Sequence, residues 1–105
     1  MHQTSRQLSY SEAKSLVERE LTQMDFAPSS VDVNIVDDAT VEKNWGWVFF
    51  YQSKKFLETG DASLALAGNA PFIVNRQTGD IVATGTAWPV EKYIEDYETQ
   101  LLSDA

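Results

Sequence analysis

Hydrophobic positions in this 105-residue chain follow a helical period at both ends and a strand period between them. Tyr10, Ala13, Val17, Leu21 and Met24 recur at helical spacing, with Leu16 beside them and Glu12, Lys14, Glu18, Arg19 and Glu20 on the remaining faces. Ser9 precedes this stripe and Glu12 lies three residues on, the arrangement of a capping box. The pattern predicts a helix from Tyr10 to about Met24, ended by the loop 25–30 with Pro28. Val31, Val33 and Ile35 then alternate with Asp32 and Asn34, as in a strand with one wet face. A polar connection over 37–44 follows.

The segment Trp45-Gly46-Trp47-Val48-Phe49-Phe50-Tyr51 is the most hydrophobic strand signal in the chain, and the pattern extends it to about Lys54. Simple alternation places Trp45, Trp47, Phe49 and Tyr51 on one face, Val48 and Phe50 on the other. Apolar residues on both faces predict a central strand covered on two sides. Thr59-Gly60-Asp61 reads as a turn, Ala62–Ala67 as a short helical piece and Gly68–Pro71 as a break. Phe72–Asn75 and Ile81–Thr84 are strands joined through Arg76-Gln77-Thr78-Gly79-Asp80, with Gly79 available for positive φ. Pro89 suits a first helical turn, and Val90, Tyr93, Ile94, Tyr97 and Leu101 form the stripe of a last helix whose wet side carries Glu91, Glu95 and Glu98.

The order is α-β-β-β-β-α. It predicts an α+β fold in a single domain: a four-stranded antiparallel sheet with the N- and C-terminal helices packed on one face. Residues 1–8 are expected to be a flexible leader and 9–103 the domain. With both helices on one side, the second face of the aromatic strand needs another cover. The 54–71 segment, the leader, a second subunit and a binding partner all qualify, and a large exposed aromatic patch would mark interaction.

Charge narrows the partners. The formal net charge is −8 and the pI about 4.4. Such a chain repels phosphate backbones and anionic lipid, so nucleic acid and membrane are not expected partners. It suits a basic protein surface, although negative charge also serves solubility. There is no cysteine, no apolar run of transmembrane length and no apolar signal segment at the N-terminus, which points to a cytoplasmic protein.

Catalytic chemistry has few parts here. The one histidine is His2, so His-dependent base and nucleophile schemes lack their central residue. Zinc would find only carboxylates, the spaced ligands of a calcium loop are missing, and no glycine-rich phosphate loop occurs. No catalytic residue, metal site or cofactor is expected. Asp37, Asp38, Asp61 and Asp80 fall in loops, where solvated acids keep ordinary behaviour. Asn69, just before a strand, reads as a turn residue or a ligand contact, and Trp88 as a staple for the last helix or an exposed anchor.

The ordered set Trp45 to Ser53, Thr59-Gly60-Asp61, Ala67 to Val74, Thr78-Gly79-Asp80, Thr84-Gly85-Thr86 and the helix from Pro89 through Tyr93 and Tyr97 resembles the YrhB-like proteins, also described as immunity protein family 35. The likeness spans roughly residues 10 to 100. It implies a small cytoplasmic α+β protein of bacterial polymorphic-toxin systems that binds and neutralises a cognate toxin domain in a stoichiometric complex. Toxins in such settings include papain-fold peptidases and deamidases. No residue role carries over from the family. On charge and loop position, the expected partner contacts are Asp37, Asp38, Glu42, Trp45, Asp61 and Asn69. The alternative is a chaperone-like or self-associating module that uses the aromatic face, with a homodimer as its simplest form.

Overall fold

The computed structural model describes residues 7–24, 32–66 and 70–103. Its first helix, α1 (Tyr10–Thr22), begins as expected: Glu12 N–H donates to Ser9 Oγ (3.1 Å) and Ser9 N–H to Glu12 Oε1 (2.9 Å). The stripe Ala13, Val17 and Leu21 is buried. Residues 1–6 of the expected leader lie outside the described residues. Leu8 packs against the core and its N–H donates to the Arg76 carbonyl (2.8 Å).

The long aromatic strand is divided. β3 (Gly46–Phe49) and β4 (Tyr51–Ser53) are separated at Phe50, and they belong to different sheets. A four-stranded antiparallel sheet has the order β2 (Val41–Lys43), β3, β5 (Phe72–Asn75), β6 (Ile81–Ala83). A two-stranded sheet pairs β1 (Val33–Ile35) with β4, in register Ile35 opposite Tyr51. The expected first strand is therefore absent from the larger sheet. Its place is taken by β2, inside the stretch read as a polar connection. A 3₁₀ turn at Asp37–Ala39 separates β1 from β2, so both can pair along one side of the chain running from 46 to 53.

The α+β class and the antiparallel four-stranded sheet hold, but the helices do not share a face. Trp47, Phe49, Phe72 and Val74 pack with Ala13, Val17 and Leu21 of α1. Val48 and Ile73 pack on the other face with Ile94 of α3 (Val90–Ser103). The two-sided apolar pattern of β3 is the reason: each face of the strand has its own helix, and burying both removes more apolar surface than stacking both helices on one side. Among the described residues, α1 and α3 thus cover the two faces of β3. Trp45 also departs from the alternation. It sits in the two-residue reversal between β2 and β3 and packs beside Val48 and Tyr97, opposite to Trp47.

Between the sheets, Ser53 caps the short helix α2 (Lys54–Thr59) by accepting from Phe56 N–H (3.3 Å), and Gly60 closes it at φ 72°. The expected helical piece after it is a 3₁₀ turn at Ala62–Leu64. The β5–β6 turn forms as its sequence requires. Asn75 Oδ1 accepts from the N–H groups of Gln77 (2.9 Å) and Thr78 (3.0 Å), and Gly79 takes φ 77°. Trp88 is 62% exposed and so does not staple α3 to the sheet.

Candidate partner-binding surface

The acidic stretch 37–42 forms an outer corner of the molecule, where the 3₁₀ turn leads into edge strand β2. Its first carboxylate is turned inward. Asp37 accepts from Tyr10 Oη and from Lys14 Nζ (3.0 Å to Oδ2, 2.9 Å to Oδ1), which ties the turn to α1. The Tyr10 hydrogen bond, and after it that of Lys14, holds the Asp37 carboxyl below its ordinary value of 3.8. Lys14 is raised by its bond to Asp37, and Tyr10 is raised, first by burial and then by Asp37.

These shifts set a pH dependence. A depressed carboxyl contributes stability that is complete above pH 3.8 and is lost as pH falls through the folded-state value. The raised Lys14 and Tyr10 act oppositely: their contribution is complete below about pH 10 and lost in alkali. Asp37→Asn is expected to lower stability by about 0.5–1 kcal/mol near pH 7, the scale of a partly exposed pair. The deficit should shrink as pH drops below about 4. Thermal unfolding at pH 7 and pH 3 checks this, and an equal deficit at both would contradict it.

Asp38 and Glu42 face outward. Asp38 is exposed and has no hydrogen-bonding or ionic partner among the described residues. Glu42 is exposed on β2 and pairs with Arg76 at 3.1 Å. Arg76 lies in the β5–β6 turn and acts as a hub for this corner. Its guanidinium donates to Lys43 O (2.8 Å) and lies 4.4 Å from the Trp47 ring centroid, and its backbone N–H donates to Trp45 O (2.7 Å). The corner is thus a rigid scaffold that presents carboxylates.

Trp45 is half-buried. Its Nε1–H donates to Glu98 Oε2 (2.9 Å), and its ring lies 4.8 Å from that of Tyr97. Lys43 Nζ is 3.8 Å from the same Glu98 oxygen. Glu98, expected on the wet side of the last helix, therefore fastens α3 to the β2–β3 turn. Beside it, Asn44, Trp45, Asn75, Gln77 and Leu101 line a shallow hollow of about 320 Å³. Trp45 serves as one wall of this hollow and not as a free-standing anchor.

Asp61 belongs to another part of the fold. It caps the Ala62–Leu64 turn, accepting from Ser63 N–H (3.0 Å) and Ser63 Oγ (2.7 Å), and these bonds lower its carboxyl from the ordinary range. Asn69 lies outside the described residues. The expected set therefore places Asp37, Asp38 and Glu42 along the turn and edge strand β2, puts Trp45 past the far end of that strand on the α3 side, and leaves Asp61 in another part of the fold. Sequence reading missed Arg76, Lys43 and Glu98. Arg76 carries no local signal of its role, because its partners lie 33 and 34 residues away.

The described residues contain no group of three or more His, Asp or Glu placed to hold a metal ion, and no helix long and apolar enough to cross a membrane.

Comparison with known proteins bears on what such a corner could serve. Residues 11–99 match the family model described as immunity protein 35. A relative from Escherichia coli strain K12, described as the uncharacterized protein YrhB, is 53% identical over 53 residues. That alignment covers 50% of this chain and 56% of the relative, so the match spans little more than half of the curated protein's length. No solved structure matches the chain.

Proposed function

Since this chain belongs to the immunity protein 35 family, we propose that it binds a cognate bacterial toxin domain and neutralises it by forming a stoichiometric complex in the cytoplasm of the producing cell. It acts by binding and turns over no substrate. The observation that carries the contact surface is the outward pair Asp38 and Glu42, on a corner braced by Arg76, in a chain of net charge −8. Such a surface matches a basic patch on the toxin, and complementary fields speed encounter. Trp45, in the turn that ends β2, lies on the α3 side of the sheet. The self-associating alternative lacks its main support, because the aromatic strand is covered by α1 on one face and α3 on the other.

The test is to mix the chain with the toxin domain encoded beside its gene and to measure affinity and stoichiometry by calorimetry. A one-to-one complex at submicromolar concentration is expected. The double variant Asp38→Lys/Glu42→Lys should weaken it roughly 10–100-fold, mainly through a slower on-rate, with the difference shrinking at high salt. Losing the exposed Glu42–Arg76 pair should cost at most about 1 kcal/mol of folding stability. No complex at micromolar concentration would reject the function. A complex of unchanged affinity in the double variant would reject this corner as the contact.

A further inference from the structure

The two outer strands of the four-stranded sheet are not alike. β2 carries Glu42 and Lys43 and is preceded by a 3₁₀ turn, features that discourage strand pairing. β6 reads Ile81-Val82-Ala83, with no charge and no proline, and among the described residues no strand pairs with its outer side.

The ladder fixes which of its backbone groups are free. Thr84 N–H donates to Pro71 O (3.1 Å) and Asn75 N–H to Asp80 O (3.0 Å), with Val82 opposite Ile73. Residues 80, 82 and 84 therefore turn their backbone polar groups toward β5. By antiparallel alternation, Ile81 and Ala83 point theirs outward.

Each face of this edge carries a hollow. On the α1 side, Glu20, Met24, Tyr51 and Phe72 line one of about 350 Å³. On the α3 side, Ile73, Val82, Tyr93 and Asp96 line one of about 160 Å³. Both are bounded by Ala83 and Thr84, so they meet along the edge itself. A strand laid against β6 would send successive side chains alternately to the two sides. Each hollow combines apolar walls with one carboxylate. The Glu20 carboxylate has no partner among the described residues, and that of Asp96 has only the exposed Lys92 one turn away (3.1 Å). This combination suits a long side chain with an apolar stem and a cationic head.

We propose that the outer edge of β6 accepts an extended basic segment of the protein partner as an added antiparallel strand, with lysine or arginine side chains in the flanking hollows. A second copy of the chain is disfavoured as occupant, since each copy carries −8. The inference rests on the reading above only in taking the partner to be a protein. It adds a second contact, on the opposite edge of the sheet from Asp38 and Glu42.

A blocked decapeptide, Lys-Lys-Val-Val-Lys-Lys-Val-Val-Lys-Lys, which presents lysines on both faces of a strand, serves as the direct probe, read by amide NMR and hydrogen exchange on the full chain. The Ile81 and Ala83 amides are expected to shift and to exchange at least tenfold more slowly. The same peptide N-methylated at alternate residues, with unchanged charge, should bind at least tenfold more weakly and give no protection. Ala83→Pro removes an outward N–H and no ladder bond, so it should fold normally and lose the protection.

Equal binding of the two peptides would overturn the proposal, as would protection confined to the Asp38–Glu42 corner. Edge protection that rises with protein concentration and needs no peptide would overturn it in favour of a second copy. With the neighbouring toxin domain, Ala83→Pro should weaken the complex at least tenfold. If that domain binds both forms alike, the edge inference fails and the proposed function stands. If it binds neither, the function fails, and the peptide result still decides the edge.

Discussion

Gly46→Ala is expected to lower the melting temperature by more than about 10 °C or to leave the chain unfolded. Gly46 is buried where β3 begins and lies opposite Asn75 of β5. A Cβ at this position would stand 1.9 Å from the Val74 carbonyl oxygen and 3.1 Å from Arg76 N. Both obstacles are backbone, so no side-chain rotation relieves them. The sheet would have to part between its two central strands. There Trp47, Val48 and Phe49 pair with Val74, Ile73 and Phe72, and all six are buried. The backbone at Gly46 has φ 157°, which side chains rarely adopt, and this adds to the cost. A loss of at least about 3 kcal/mol follows. Gly60→Ala is the control: that residue also has positive φ, but nothing lies within 4 Å of the added carbon. It should lose only about 1 kcal/mol, from the left-handed backbone. Circular dichroism melts of the two variants separate steric exclusion from backbone strain. A Gly46→Ala protein melting within a few degrees of the parent would refute the close approach.

The same residues show how far local pattern reaches. Ser9 with Glu12, the helical stripes at both ends apart from Met24, which lies beyond α1 and is exposed, and the turn over 76–80 form as read. The family resemblance was also legible, because it rests on order and spacing. The facing of the helices was not. The pattern of Trp47-Val48-Phe49 demanded two covers, but which element supplies the second depends on how the chain returns after β6, and that is a tertiary matter. Val41 failed to announce β2 because a three-residue strand with one apolar member has no period to read. Phe50 gave no sign of the break between β3 and β4. The break is set by the partner strand, where Val36 N–H reaches Phe50 O (2.8 Å) before the 3₁₀ turn intervenes. The candidate corner was half legible. Charge and loop position pointed to Asp37, Asp38 and Glu42 alike, and only the long-range partners Tyr10, Lys14 and Arg76 separate the inward carboxylate from the outward ones.

Trp47→Ala is expected to cost about 3–5 kcal/mol, the range for removing a large aromatic from a packed core. The ring is 2% exposed and lies edge-on to Tyr10 at 6.4 Å and beside Phe49 at 6.4 Å. It also carries the Arg76 guanidinium at 4.4 Å, so truncation removes a cation–π contact together with the apolar packing. The damage should therefore spread to the corner that Arg76 braces, through Glu42 and Lys43 O. Trp47→Phe keeps a ring under Arg76 and should lose roughly 1–2 kcal/mol. Asp38→Ala, on the exposed turn, should change stability by no more than about 0.5 kcal/mol while weakening the proposed toxin complex. Urea unfolding of the three variants, with affinity measured on the folded ones, distinguishes scaffold from contact. If Trp47 is scaffold, Trp47→Phe binds within a few-fold of the parent despite its lower stability, and Asp38→Ala shows the reverse. Equal destabilisation by Trp47→Ala and Asp38→Ala would contradict this division, because a side chain with no partner among the described residues would then be holding as much of the fold as a buried indole.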